Sequence, residues 1–231
     1  MSVTRPLAGI AAGSALLLSG LLSGCGVAGT DWHPGVAAQV GDEKISTSHV
    51  NDVTTNYCAA IEDQLTKAGN VLPLSYLREG VTGQLVLVAA ARQLGQEYDV
   101  AAGDQYTRQV TQLEQAVSQL PEAAQAAVIE IESSQTYVDD ILQGVGKALA
   151  QGQTTPTDTQ AAAAGQQALT KWIDDNDVQI DPEFGVEIVD GKATPIDTDI
   201  SYAVGDTAKL GSAKTPDPTY SSSLPDALRC G

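Results

Sequence analysis

Two histidines, three cysteines and 29 carboxylates are the side chains of this 231-residue chain that could carry reaction chemistry. Nucleophilic catalysis of the Ser-His-Asp kind needs a base held beside its nucleophile. Only His33 and His49 can supply that base. His33 lies in Asp31-Trp32-His33-Pro34-Gly35, which reads as a tether, and His49 falls in the first turn of a predicted helix. No Gly-x-Ser-x-Gly elbow accompanies either one, so a hydrolase is not expected. Asp174-Asp175-Asn176-Asp177 offers oxygen ligands in a row. A calcium loop of the EF-hand type needs alternating ligands, a central glycine and a closing glutamate, so a solvated helix end is the expectation. Carboxylate pairs for glycoside chemistry cannot be chosen among so many acids without geometry. Two histidines and scattered cysteines do not make a metal cluster, and no cofactor is expected beyond a covalent lipid.

That lipid is implied by the first cysteine. Residues 1–24 carry a single charge, Arg5, and an apolar stretch over residues 7–22. About 16 residues is short for a bilayer span, which needs roughly 20. It suits the apolar region of an export signal that is later removed. The stretch closes on Leu22-Ser23-Gly24-Cys25, which resembles the bacterial lipobox. Small residues there let a peptidase reach the backbone, and the thiol accepts diacylglycerol. Residues 1–24 are thus expected to be a signal peptide, Cys25 the lipidation site, and residues 25–35 a tether. The chain would sit on the extracytoplasmic face of the cell membrane. The competing reading is an uncleaved anchor with an incidental cysteine.

Cys58 and Cys230 then remain, the right number for one disulfide outside the cytoplasm. The bridge would close a loop of about 173 residues, for which chain entropy gives roughly 5 kcal/mol as an upper bound. It would tie the C-terminal tail to the first long helix. Free thiols or pairing with another protein are the alternatives.

The formal charge is −17, or −18 without Arg5. An acidic surface of that size argues against nucleic acid or anionic lipid as a partner of the folded part. Apolar residues are plentiful, many are alanine, and only ten are Phe, Trp or Tyr. Such a composition suits closely packed helices.

The elements follow from periodicity. Residues 36–40 and 43–45 read as two short strands around a Gly41-Asp42 turn. Ser46 is placed to cap a helix whose apolar face is Val50, Val53, Tyr57, Ile61 and Leu65. Gly69-Asn70 ends it, and Pro73 opens the next helix as a first-turn proline. That second helix is the most hydrophobic and is expected at the centre. Asp104 can cap a third, in which Tyr106, Val110, Leu113, Val117 and Leu120 form a heptad-like seam. Pro121 restarts the helical pattern, Ser133-Ser134 allows a kink, and the stripe continues to Leu149. Asp158 or Thr159 caps a last helix that reaches Ile173. Val178, Ile180, Phe184, Val186 and Ile188 then alternate as strands do, with a hairpin turn at Asp190-Gly191. The tail, residues 191–231, is expected to be extended and pinned by Cys230.

Two segments carry a resemblance. Val36-Ala37-Ala38-Gln39-Val40-Gly41-Asp42-Glu43-Lys44-Ile45-Ser46 and the helix start after it resemble the opening of the SurA-type N-terminal chaperone domain. Gly41-Asp42-Glu43 stands where that family often has Asn-Gly-Glu, and His49 where it is often acidic. Val178-Gln179-Ile180-Asp181-Pro182-Glu183-Phe184-Gly185 is similar to a segment of bacterial SurA-like lipoproteins, as is the Cys230-Gly231 ending. The resemblance spans residues 36–185. It implies a mainly α, SurA-like helical domain over residues 36–190, with short β elements near both ends. Its first strand and its last segment would come together, and the helices between would form a cradle for unfolded polypeptide. A parvulin isomerase domain, of roughly 90 residues, has no room among the helical periods, so enzymatic activity is not implied.

Two functions are therefore in view. One is a lipid-anchored, chaperone-like module that binds unfolded or extended polypeptides in the cell envelope. The other is a scaffold lipoprotein for one envelope partner. If a cradle is open, Tyr106, Val110, Leu113, Val117, Tyr137 and Ile141 are the candidate peptide-binding residues. The same seam could simply be core.

Overall fold

The computed structural model describes residues 34–151, 155–196, 205–211, 213 and 215–231. The expected signal peptide, the lipidation site Cys25 and most of the tether, His33 included, lie outside the described residues.

The fold is mainly α, as expected. Strand β1 (Val36–Val40) and strand β2 (Glu43–Ser46) form the predicted hairpin. Ser46 caps α1 (Thr47–Ala68), its hydroxyl accepting from His49 N at 3.1 Å. Gly69 ends that helix in the left-handed region (φ 68°), which a residue without a Cβ enters at no steric cost. The short strand β3 (Leu72–Pro73) follows, then α2 (Leu74–Glu97). Pro73 is therefore the cap residue rather than the first helical one.

Helix α2 is the centre of the molecule. Val81, Leu85, Val86, Leu87, Ala89, Ala90, Ala91 and Leu94 are all buried along it. A helix apolar nearly all round must be covered on several sides. Here α1, α5 (Ser134–Leu149) and α6 (Asp158–Asp175) cover it, together with the β1–β2 hairpin. Arg92 of α2 donates to both Glu43 carboxylate oxygens at 2.5 Å, and Gln93 donates to Val40 O at 2.7 Å, fixing the hairpin on the helix.

Helices α3 (Asp104–Ala116) and α4 (Glu122–Glu132) form an outer layer against α5 and α1. Asp104 does not cap α3; the cap residue is Gly103, which has no side chain. Asp140 of α5 supplies the missing acceptor, taking Gly103 N at 2.9 Å and Tyr106 N at 3.0 Å. Helix α6 is capped by Thr157, one or two residues before the expected Asp158 or Thr159. Thr157 and Gln160 form a reciprocal capping box there.

Helices α5 and α6 cross at backbone contact. A Cβ on Gly146 would lie 1.9 Å from Ala161 O, and one on Gly165 would lie 1.9 Å from Leu142 O. Two glycines and Ala161 let the backbones meet where larger side chains would hold them apart.

Strand β4 (Gln179–Ile180) pairs antiparallel with β1, giving the order β2-β1-β4. The first strand and the segment after the last long helix thus do come together. Phe184, expected in a strand, lies in a 3-10 turn capped by Asp181 with Pro182 at its start, and it is buried. Strands β5 (Val186–Val189) and β6 (Lys192–Pro195) form a hairpin over α2. Its turn residues Asp190 and Gly191 have φ of 51° and 68°, a pair of positive angles that Asp-Gly accepts in tight hairpins. The boundary expected after residue 190 falls inside this turn.

The tail differs from the extended form expected. It contains helices α7 (Asp206–Gly211) and α8 (Pro218–Ser223) and a strand β7 (Arg229–Cys230) that pairs with β3. Asp217 accepts from Thr219 N and Tyr220 N at 2.9 Å, and Pro218 stands in the first turn, so α8 has both a cap and a fixed φ.

Candidate functional site

Cys58 of α1 and Cys230 of β7 form a disulfide, with Cα atoms 5.7 Å apart. Together with the pairing of Leu72 with Cys230 it holds the tail across the start of α2.

The predicted α3 seam is not an open cradle. Ile141 is 1% exposed and belongs to the central core, and Val117 is buried at the end of α3. Tyr106, Val110, Leu113 and Tyr137 are half-buried. Tyr106 and Tyr137 meet edge to face with ring centres 5.2 Å apart. The heptad spacing brings the seam onto its neighbours, and α5 closes it. A cavity of about 480 Å³ on that side is lined by Leu113 but otherwise mostly by glutamines, Arg108 and Thr136.

The candidate polar groups also resolve into structural ties. His49 Nε2 lies 3.0 Å from Glu130 Oε1, joining α1 to α4 on an exposed face. Tyr57 donates to Glu132 of α4. Burial, and then the Glu132 carboxylate, push the tyrosine hydroxyl above its usual range, so it stays a donor and supplies no base. Asp175 pairs with Lys171, and Asn176 Nδ2 donates to Trp172 O at 2.9 Å. This is the helix end the sequence implied. No cluster of three metal-ligating side chains occurs among the described residues.

A groove opens instead between α1, α2 and the tail. Its cavity is about 470 Å³, within the usual range for a ligand site. Asn51, Thr54 and Thr55 line it from α1, and Leu74, Ser75 and Arg78 from the first turns of α2. Tyr220, Leu224 and Leu228 form the third wall. Leu228 is 54% exposed. The Thr54 hydroxyl is satisfied within its helix, donating to Val50 O at 2.7 Å.

Arg78, Ser75 and Tyr220 also line an adjoining cavity of about 130 Å³ beside Phe184. Arg78 lies over the Phe184 ring, 5.0 Å from its centre. It donates to Glu183 Oε1 at 3.4 Å and to Glu183 O at 3.3 Å. Glu79, next along α2, lines the smaller cavity, and partial burial raises its carboxyl above the usual range.

The sequence reading missed this groove, although a signal was present. If Cys58 bonds Cys230, the α1 residues one and two turns before Cys58 must face the residues just before Cys230. Those are Thr54 and Asn51 on one side and Leu228 and Leu224 on the other. No helix among the described residues is long and apolar enough to cross a membrane. No family model matches the chain, and no curated protein or solved structure matches it either.

Proposed function

We propose that this chain is a lipid-anchored, chaperone-like module of the cell envelope that binds extended polypeptide in the groove between α1, α2 and the tail. It acts as a binding protein and not as an enzyme. The observation that carries the reading is the third wall. A disulfide-pinned tail brings Leu224 and Leu228 over a partly apolar channel that the helices alone would leave as an open face. The resemblance to SurA-type chaperone domains supports the same class of ligand, and the lipobox-like Leu22-Ser23-Gly24-Cys25 supports the address.

The second reading, a scaffold for one partner, is favoured by the closed α3 seam and the backbone contact of α5 with α6. A groove of this size takes a short segment, whereas a general holdase needs a broad apolar surface.

Aggregation decides between them. The mature domain with Cys25→Ser is titrated into an unfolded envelope protein diluted from denaturant, and light scattering is followed. Suppression at near-stoichiometric ratios, beyond an unrelated protein of equal charge, is expected. No suppression by the folded domain leaves the single-partner scaffold. Incorporation of labelled palmitate that disappears in Cys25→Ser tests the anchor.

A further inference from the structure

We propose that the groove takes polypeptide by its C-terminal end, with the terminal carboxylate on Arg78 and the last apolar side chain among Leu74, Leu224 and Leu228. This rests on the polypeptide-binding reading above and narrows its ligand.

The first argument is charge. The chain carries 29 acids against 12 lysines and arginines, so anions are repelled over most of its surface. Arg78 is the cationic side chain in the groove lining. A ligand with one carboxylate at its end and neutral or basic residues behind it meets attraction there. Poly-acidic segments do not.

The second is the state of the guanidinium. Charge-assisted N–H···O bonds run about 2.7–2.9 Å. The two that Arg78 makes to Glu183 are 3.3 and 3.4 Å, and the Glu183 side chain is 59% exposed. The buried Phe184 ring lies 5.0 Å from the guanidinium carbon and limits where the side chain can go. A planar fork is thereby held ready, with only long bonds to give up, and a terminal carboxylate is the group that such a fork accepts through two oxygens.

The third argument separates a polypeptide from a lipid. Part of the lining is apolar: Leu74, Leu224 and Leu228. The rest includes Asn51, Thr55 and Ser75, three exposed residues with side-chain donors and acceptors. Peptide N–H and C=O groups leaving water need such partners. An acyl chain would leave those side chains unpaired against hydrocarbon.

The test uses the mature chain with Cys25→Ser and its disulfide intact. A fluorescein-labelled peptide Lys-Thr-Ala-Val-Ala-Leu is compared, by polarisation, as free acid, as amide, and as amide with glutamate replacing threonine. The free acid is expected to bind at least about tenfold tighter than either amide. Arg78→Gln should erase the difference. Ser75→Asp, a change that suits a helix start and puts a carboxylate in the same lining as Arg78, should lower the ratio of acid to amide affinity by a similar factor. If the amide equals the acid, the carboxylate site falls while polypeptide binding stands. If the glutamate-bearing amide equals the acid, the assignment to a chain end falls. If no peptide binds, the site falls as well, and the aggregation assay alone decides the broader reading.

Discussion

Gly165→Ala is the perturbation that most directly probes why α5 and α6 can lie as they do. A Cβ at Gly165 would stand 1.9 Å from Leu142 O, 2.5 Å from Leu142 C and 2.8 Å from Leu142 Cα. All three are backbone atoms inside a helix, so no rotamer change relieves the overlap. Ordinary van der Waals separation is about 3.5 Å, so the helices must part by roughly 1.6 Å at this point. Leu142, Val145, Ala161 and Leu169, buried at or near the crossing, then lose contacts. Overpacking a core costs about 1–3 kcal/mol where some relaxation is possible. Here the opposing atoms are main chain, so the upper end applies. Alanine returns about 1 kcal/mol through helix propensity, leaving a net loss of about 2 kcal/mol. Gly80→Ala is the matched control. Gly80 is exposed in α2 with nothing within 4 Å of its would-be Cβ, so it should gain about 0.5–1 kcal/mol. Urea unfolding followed by circular dichroism reads both. A Gly165→Ala protein as stable as the parent would refute the account of the crossing.

Other consequences are open to equally direct measurement. Reducing Cys58–Cys230, separated by 172 residues, should lower stability by up to about 5 kcal/mol, seen as a fall in Tm with reductant that a Cys58→Ser/Cys230→Ser protein no longer shows. Asp140→Ala should cost about 1–2 kcal/mol and speed amide exchange chiefly in α3, since Gly103 offers no cap of its own; Asp140→Asn should retain most of the protection. Glu79 has its folded-state carboxyl raised by burial. Its contribution is therefore fully present below the ordinary glutamate range and is lost as pH rises through the raised value. Glu79→Gln should accordingly gain stability relative to the parent as pH rises, read by denaturation at several pH values, and a flat difference would contradict the desolvation account.

Local signals in the sequence translated well where chemistry is confined to a few residues. Ser46 followed by the 3.6-residue stripe of α1 is one case, and Asp190-Gly191 between alternating strands is another. Errors arose where two signals competed. Thr157 with Gln160 is a reciprocal cap, yet Asp158 next to it is an equally good cap by type. Phe184 continues the alternation of its neighbours, but Asp181-Pro182 imposes a turn before the alternation can act. The tail's small polar residues suggested an extended chain, whereas Asp217-Pro218 is a sufficient helix start. Ile141 belongs to a helix with a narrow apolar stripe, which suggests a lining; α2, α3 and α6 all pack on α5, which leaves that position inside. The groove depends on residues of α1, α2 and the tail, and in the sequence the cysteine pair Cys58 and Cys230 is the signal that links them. Nor does any local pattern announce that Gly146 and Gly165 belong to opposite sides of one crossing.

The pairing of β1 with β4 sets the order in which the molecule can be finished. Chain synthesis delivers the β1–β2 hairpin first, but Ala38 finds its partner Ile180 only after the six helices α1 to α6 have been made. Short-range contacts such as those of α5 with α6 can form while the rest is still emerging, whereas ordering of the distant pair waits for loop closure. Cys58 waits longer still, because Cys230 lies well beyond Ile180, 172 residues from its partner. A chain truncated before residue 179 would lack the strand that completes the first sheet. One truncated before residue 230 would complete the sheet but leave a free thiol and no third wall. The two closures are thus successive, one made of hydrogen bonds and one covalent, and the covalent one coincides with the moment the groove acquires its shape.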